Sequence, residues 1–198
     1  MNTHPLTRHE RRRRLTRQLL IDTTLRLVLE HGYDDISIQD ITDGADLGRG
    51  TFYIHFKDKE EVVWTAIRER ILEIERDAHS RYMQNVPPQV EYYGLLNIFS
   101  HAEKNRNLFR VMFSAKGSTV LTARLQDLMV DIFKYDIQHS PLPRDPAMSI
   151  PVEIIAQMMT GLISRLIFWW LETPNSYTAE QIAGFTYKTL YRKPPPSQ

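Results

Sequence analysis

Helix-start signals recur along this chain, and they constrain its fold more than any other feature. Thr7-Arg8-His9-Glu10, Ser37-Ile38-Gln39-Asp40 and Thr178-Ala179-Glu180-Gln181 each set a hydroxyl three residues ahead of a side chain able to reach back to it. Asp58-Lys59-Glu60-Glu61 repeats the pattern with an acid in front. The spacing predicts a first helix from Thr7 to His31, closed by Gly32. Two short helices follow, one from Ser37 to near Gly44 and one from Leu47 to Phe56. After Asp58, Val63, Ile67, Ile71 and Ile74 recur at helical spacing until Pro87-Pro88. Further helices are expected over about 89–103, 105–116, 118–138, 152–172 and 178–192, with the proline-bearing stretch His139–Pro151 as a loop and a frayed proline tail. The 8 glycines are too few, and alternating apolar runs too scarce, for a sheet. The chain therefore reads as all-α, with about nine helices.

Its 198 residues suffice for one large domain or two small ones. With no cysteine, a disulfide scaffold, a thiolate metal site and a cysteine nucleophile are excluded. No apolar stretch follows the N-terminal arginines, so a signal peptide is not expected and a cytoplasmic setting is. Ile154–Leu171 is long enough to invite comparison with a membrane span, but it carries Gln157, Ser164 and Arg165. Arginine at a bilayer centre costs roughly 2.5–3.5 kcal/mol. A helix buried between two protein layers is the preferred reading, with no membrane partner.

Net charge is +1, yet it is unevenly spread. Residues 1–17 carry six arginines against Glu10, while residues 18–60 carry nine acids against four bases. A basic N-terminal segment on a nearly neutral protein points to an anionic polymer.

The stretch 37–59 gives that partner a shape. Two short helices flank a turn at Ala45-Asp46, the pattern of a helix-turn-helix whose second helix enters the major groove of double-stranded DNA. No acid falls between Leu47 and Lys57. Gly48 and Gly50 permit close backbone approach to phosphate. Arg49 stands where a guanidinium pairs with guanine O6 and N7. Thr51, Tyr53 and His55 supply donors for phosphate oxygens, and Lys57 and Lys59 add charge. Ser37 is first an N-cap and secondarily a phosphate contact, whereas Leu47, Phe52 and Phe56 belong to the core. Arg11 and Arg12, crowded with Arg13 and Arg14 in the first turns of a helix, gain from a nearby phosphate chain and are expected to reach toward a minor groove.

Residues 13–62 resemble the DNA-binding part of the TetR/AcrR family of bacterial transcriptional regulators. The resemblance rests on Gly32-Tyr33, on Ile38-Gln39-Asp40-Ile41, and on the run from Gly50-Thr51-Phe52-Tyr53 through Ile54-His55-Phe56-Lys57 to Asp58-Lys59-Glu60. It implies a three-helix DNA-binding domain over 1–60 and a helical effector-binding and dimerisation domain over 61–198. The chain departs from the family at Thr23-Thr24, where Ala-Ala is common, at Thr42, where Ala is common, and at Ala45-Asp46-Leu47-Gly48, where Ala-Gly-Val-Ser is frequent.

One short recognition helix reads few bases, so a homodimer on a near-palindromic operator is expected. Leu162, Leu166, Trp169, Trp170, Phe185 and Leu190, on the last two helices, are the candidate interface, and in the family those helices typically form a four-helix bundle with the partner. The family's C-terminal domain usually holds a small-molecule pocket. Tyr93, Phe99, Phe109, Met112, Phe113, Met129, Phe133 and Met159 are candidate lining residues for an apolar or aromatic effector. His101, Arg110 and Arg165 are candidates for one polar anchor.

Two other classes compete. The seven histidines form no metal-ligand spacing, and no Walker, dinucleotide or nucleophile-elbow motif is present, so neither metal nor cofactor is expected and an enzyme is disfavoured. A constitutive regulator or architectural DNA-binding protein without effector is the nearer alternative.

Overall fold

A computed structural model describes residues 7–84, 90–113, 119–139, 150–192 and 194–195, the side chains at 77–84, 90, 111 and 113 excepted. Among the described residues all regular structure is helical: α1 (Arg8–His31), α2 (Ile38–Gly44), α3 (Arg49–His55), α4 (Lys59–Gln84), α5 (Val90–Lys104), α6 (Arg106–Phe113), α7 (Thr119–His139), α8 (Val152–Glu172) and α9 (Ala179–Tyr191). The expected stop at Pro87-Pro88, the expected loop after His139 and most of the proline tail lie outside the described residues.

The starts fall where the sequence places them. Thr7, Ser37 and Thr178 each cap a helix by a reciprocal capping box, with Glu10, Asp40 and Gln181 as the returning side chains. Asp58 accepts a hydrogen bond from the Glu61 N–H at 2.8 Å, and Glu61 reaches back to the Lys57 N–H rather than to that of Asp58. Gly32 closes α1 at φ +91°, a conformation that disfavours every side chain.

The chain divides into two compact units, Met1–Glu73 and Ile74–Gln198. The division lies inside α4, later than the 60/61 boundary expected from sequence. The reason is visible in α4 itself: Val62, Val63, Ala66 and Ile67 are buried, and Glu69 pairs with Arg17 of α1 at 3.6 Å.

In the first unit, α1 packs on α2 and α2 on α3. Leu20, Val28, Ile41, Phe52, Phe56 and Val62 are fully buried there. Gly44 keeps the α1–α2 contact close, because a Cβ at that position would stand 3.0 Å from Thr23 Cγ2 and 3.3 Å from the Arg26 guanidinium. The extra hydroxyls of this core are satisfied locally: Thr24 donates to the Leu20 carbonyl at 2.7 Å and Thr42 to that of Gln39 at 3.0 Å.

In the second unit, α5 packs on α9, and α7 and α6 pack on α8. Its core gathers Tyr92, Leu95, Phe99, Ile163, Ile167, Trp170, Ile182 and Tyr187. By length and composition α8 passes as a membrane span. Its Ala156, Thr160, Ile163, Ile167, Trp170 and Leu171 are nevertheless buried in this unit, one face of a helix packed on protein. Burial on both sides was expected from sequence. Within one chain only one side is covered.

Candidate nucleic-acid interface and the face of α8 and α9

The turn between α2 and α3 is built on a backbone exception. Asp46 sits at φ +53°, in the left-handed region that Asp tolerates better than most side chains. The Leu47 N–H then donates to the Thr42 carbonyl at 2.9 Å, and Gly48 begins α3 with extended backbone and no side-chain cap. This turn fixes the direction of α3. Phe52 and Phe56 are buried with rings 5.9 Å apart, and they lock the inner face of the helix to the core.

The outer face carries the expected surface. Gly48, Arg49, Gly50 and Tyr53 are exposed, and Thr51 is half-buried. A Cβ added at Gly48 or Gly50 would meet nothing within 4 Å, so bare backbone faces open space there. Lys57 lies beyond the helix with its side chain 70% exposed and its ammonium 4.0 Å from Asp58.

His55 is half-buried, and burial, followed by the charges of Arg13 and Arg17, pushes its imidazole below the usual histidine range. It therefore presents a neutral ring at pH 7. The same interaction reveals a neighbourhood: the arginine-rich start of α1 lies beside the C-terminal end of α3. Arg11, Arg12, Arg13 and Arg14 are all exposed. Arg17 is spent within the unit, over the Phe56 ring at 4.8 Å and against Glu69.

One sequence reading needs correction here. Lys59 is not a surface charge awaiting phosphate: its ammonium donates to the carbonyls of Tyr33 and Ile36, both at 2.9 Å, and lies 4.3 Å over the Tyr33 ring. It clamps the loop between α1 and α2. Ser37 is the N-cap that the sequence predicts, with its N–H and hydroxyl both donating to Asp40 Oδ2, at 2.8 and 2.6 Å. These bonds hold the Asp40 carboxyl below its ordinary range. The arginines from Arg8 to Arg17 are helical from their capped start at Thr7, as the sequence predicts, and the chain before Thr7 lies outside the described residues.

Sequence reasoning passed over one outward residue of α3. Ile54 is 66% exposed, and it is missed when only polar groups are counted as DNA contacts.

In the second unit, Leu162 and Trp169 of α8 and Phe185 of α9 are exposed, Trp169 at 38% and Phe185 at 49%. Ile154 and Met158 extend the α8 stripe at four-residue spacing, which sequence reasoning did not use. Leu166 is half-buried against the core cluster. Trp170, assigned to an interface from sequence, is 2% exposed: its ring meets Phe99 at 6.0 Å and its indole N–H donates to the Tyr177 carbonyl at 2.9 Å. It is core of a single chain. Leu190 of α9 is exposed at 37%, as Leu162 is, and lies about 140° around the helix from Phe185.

Of the candidate effector-lining residues, Phe99 lies within the core cluster, and Tyr93, Phe109, Met129, Phe133 and Met159 pack against it half-buried. Met112 is buried as well. The side chain of Phe113 lies outside the described residues. Arg110 pairs with Glu172 at 2.7 Å, Arg165 lies over Phe168 at 5.5 Å and His101 is half-buried.

Comparison with known proteins supplies the context. Residues 20–63 match the sequence profile of bacterial regulatory proteins of the tetR family, and residues 92–192 match that of a transcriptional regulator C-terminal region. The chain is 26% identical over 185 residues to the HTH-type transcriptional regulator AcrR of Shigella flexneri, covering 85% of this chain and 84% of that one. Its fold is similar to that of FadR from Bacillus subtilis, solved with stearoyl-CoA (TM-score 0.63, 17% identity, 87% and 96% of the two chains). It is also similar to RolR solved with resorcinol (TM-score 0.62, 19% identity, 91% and 90%).

Proposed function

The chain belongs to the TetR family and is a sequence-specific DNA-binding transcriptional regulator of the repressor type; from that premise we propose that it acts as a homodimer released from its operator by a small, largely apolar ligand. One observation carries the dimer. The face of α8 bearing Ile154, Met158, Leu162 and Trp169 is exposed, while the opposite face of the same helix is core. A helix of this composition gains most when that second face is also covered, and a second copy presents the same stripe for an isologous contact. Two copies of α3 then read two half-sites, about 34–36 Å apart or a multiple of that.

On this reading Arg49 reads a base edge, Tyr53, Thr51 and His55 meet phosphate, and Lys57, Arg11 and Arg12 supply counter-charge. A DNA target places the protein in the bacterial cytoplasm. The effector is proposed on two supports. Aromatic and methionine side chains pack against one core cluster in the second unit, and such side chains repack readily. Proteins of similar fold were solved with stearoyl-CoA, an apolar acyl chain on an anionic nucleotide carrier, and with resorcinol, a small aromatic. Release works by population shift: a ligand that favours the state with mis-spaced recognition helices weakens DNA binding by its differential affinity.

The test is selection of binding sites from random duplexes, with sedimentation of the free protein and the complex. A near-palindromic site bound by a dimer supports the proposal. A single half-site bound by a monomer refutes it. Arg49→Ala is expected to cost about 1–3 kcal/mol and to relax preference at one position of each half-site. An unchanged preference removes Arg49 from base readout.

A further inference from the structure

We propose that Ile54 is a sequence-reading residue, which recognises a thymine through its 5-methyl group. The inference rests on α3 being the recognition helix and goes beyond the polar contacts assigned above. It starts from where the fold directs each side chain. Successive residues of an α-helix advance by about 100°. Ile54 is two positions from Phe52, so it lies about 160° from it around the helix, and Phe56 follows as the C-cap. Those two rings are buried and anchor α3 to the core. Ile54 therefore points nearly straight away from the core, and it is 66% exposed. Of the seven residues of α3, it is the bulky apolar one on the outer face.

The surroundings select the occupant. Gly50, one turn earlier on the same face, leaves open space where a side chain would stand. Tyr53, next to Ile54, is 53% exposed, and Arg49 is exposed at the front of the helix. Lys57 and Arg11 to Arg14 are exposed, and the charges of Arg13 and Arg17 reach His55 at the C-terminal end of α3. An apolar side chain beside bare backbone, on a helix with exposed basic residues at both its ends, suits a polyanion that presents an apolar group inside a groove. In the major groove of DNA that group is the thymine methyl, which no other base carries. Isoleucine suits the task physically. Its β-branch fixes χ1 in a helix, so its methyl groups are held in place without an ordering cost at binding.

Removing one methyl from an apolar contact costs about 0.8 kcal/mol, which is roughly a fourfold loss of affinity. The experiment uses the full-length protein and the duplex it selects from random DNA. Each thymine is replaced in turn by deoxyuridine, which deletes only the methyl group. Affinity is measured for the wild type, Ile54→Ala and Ile54→Val, with thermal melting as a control on folding. We expect one thymine per half-site at which deoxyuridine weakens the wild type roughly fourfold. Ile54→Ala should weaken binding to the thymine duplex similarly and no longer distinguish the two bases there, with unchanged melting. Ile54→Val, which keeps the branch, should retain part of the discrimination. The contact is overturned if no thymine is sensitive in the wild type, or if Ile54→Ala stays as sensitive as the wild type at every position. Failure of the wild type to select any sequence would instead overturn the reading of α3 itself, and this contact with it.

Discussion

Lys59→Met separates a structural lysine from a DNA-contacting one. The substitution keeps the apolar stem and removes the ammonium. In the structure that ammonium donates to two loop carbonyls, those of Tyr33 and Ile36, each at 2.9 Å, and lies over the Tyr33 ring. Hydrogen bonds from a charged donor contribute about 1.5–3 kcal/mol each, and a partly exposed cation–ring contact about 0.5–1. Tyr33 is half-buried, so water recovers part of this once the donor is gone. A net loss of about 2–4 kcal/mol for the first unit follows. With a urea slope of about 1–3 kcal/mol per molar, the midpoint of that unit should fall by about 1–2 M. Native-state amide exchange should show the loss in α1, α2 and the loop between them. The second arm of the assay is salt dependence. A lysine that neutralises a phosphate contributes about 0.9 to the log–log slope of DNA affinity against salt. The Lys59 ammonium keeps its charge but is held by two loop carbonyls and not by a phosphate, so the slope of Lys59→Met should stay close to that of the wild type, while Lys57→Met should reduce it. A reduced slope with unchanged stability for Lys59→Met would refute the clamp and restore the contact expected from sequence.

Three further outcomes follow from the geometry. Trp169→Glu, on the exposed face of α8, should give a folded monomer by sedimentation, whereas Trp170→Glu should cost more than about 3 kcal/mol and lose the fold of the second unit; a Trp169→Glu protein that stays dimeric moves the interface elsewhere. Burial, with Asp136 adding to it, raises the Glu75 carboxyl to about 7, so the folded state holds this proton more tightly than the unfolded chain; the stability so gained is complete below pH 4.5 and is lost as pH rises through 7. Glu75→Gln should flatten that dependence between pH 5 and 8 by about 1–2 kcal/mol after allowance for partial exposure, and equal pH profiles in urea unfolding would count against it. At Asp46, φ +53°, Val should cost about 1–2 kcal/mol and Gly little; equal melting temperatures for the two variants would mean that backbone handedness is not what this position selects.

What the sequence disclosed and what it withheld divide along a physical line. Signals that act within four residues were legible: the three capping boxes, the Gly32 stop and the inward Phe52 and Phe56 all follow from local hydrogen bonding or helical period. Partners far apart in sequence were not. Lys59 meets carbonyls 26 and 23 residues away, and nothing near it in sequence announces them. Trp169 and Trp170 posed a different difficulty, since both are large and apolar. The period resolves it: Trp170 follows Ile163 and Ile167 by seven and three residues, on the buried stripe, and Trp169 falls off it. The departures at Thr23-Thr24 and Thr42 read as risks to packing. They are accommodated because Thr24 and Thr42 return their hydroxyls to carbonyls of their own helices, and because Gly44 makes room for the Thr23 methyl.

The start of α1 shows where local rules give way to function. Arg11, Arg12, Arg13 and Arg14 stand in the first two turns, at the positive end of the helix dipole, and all four are exposed. Glu10 opposes them, its carboxyl held ionised by the Thr7 cap, and one acid cannot balance four cations. Taken alone, the arrangement destabilises the helix that contains it. His55 feels the same field, since Arg13 and Arg17 help to keep its ring neutral. A phosphate backbone laid along α3 and the start of α1 would relieve both effects at once, pairing the arginines and favouring the charged imidazole. Part of the binding free energy is then repulsion already present in the free protein. This accounts for an acid-rich domain, in which residues 18–60 carry nine acids, keeping its excess positive charge on the first turns of the helix beside its recognition helix.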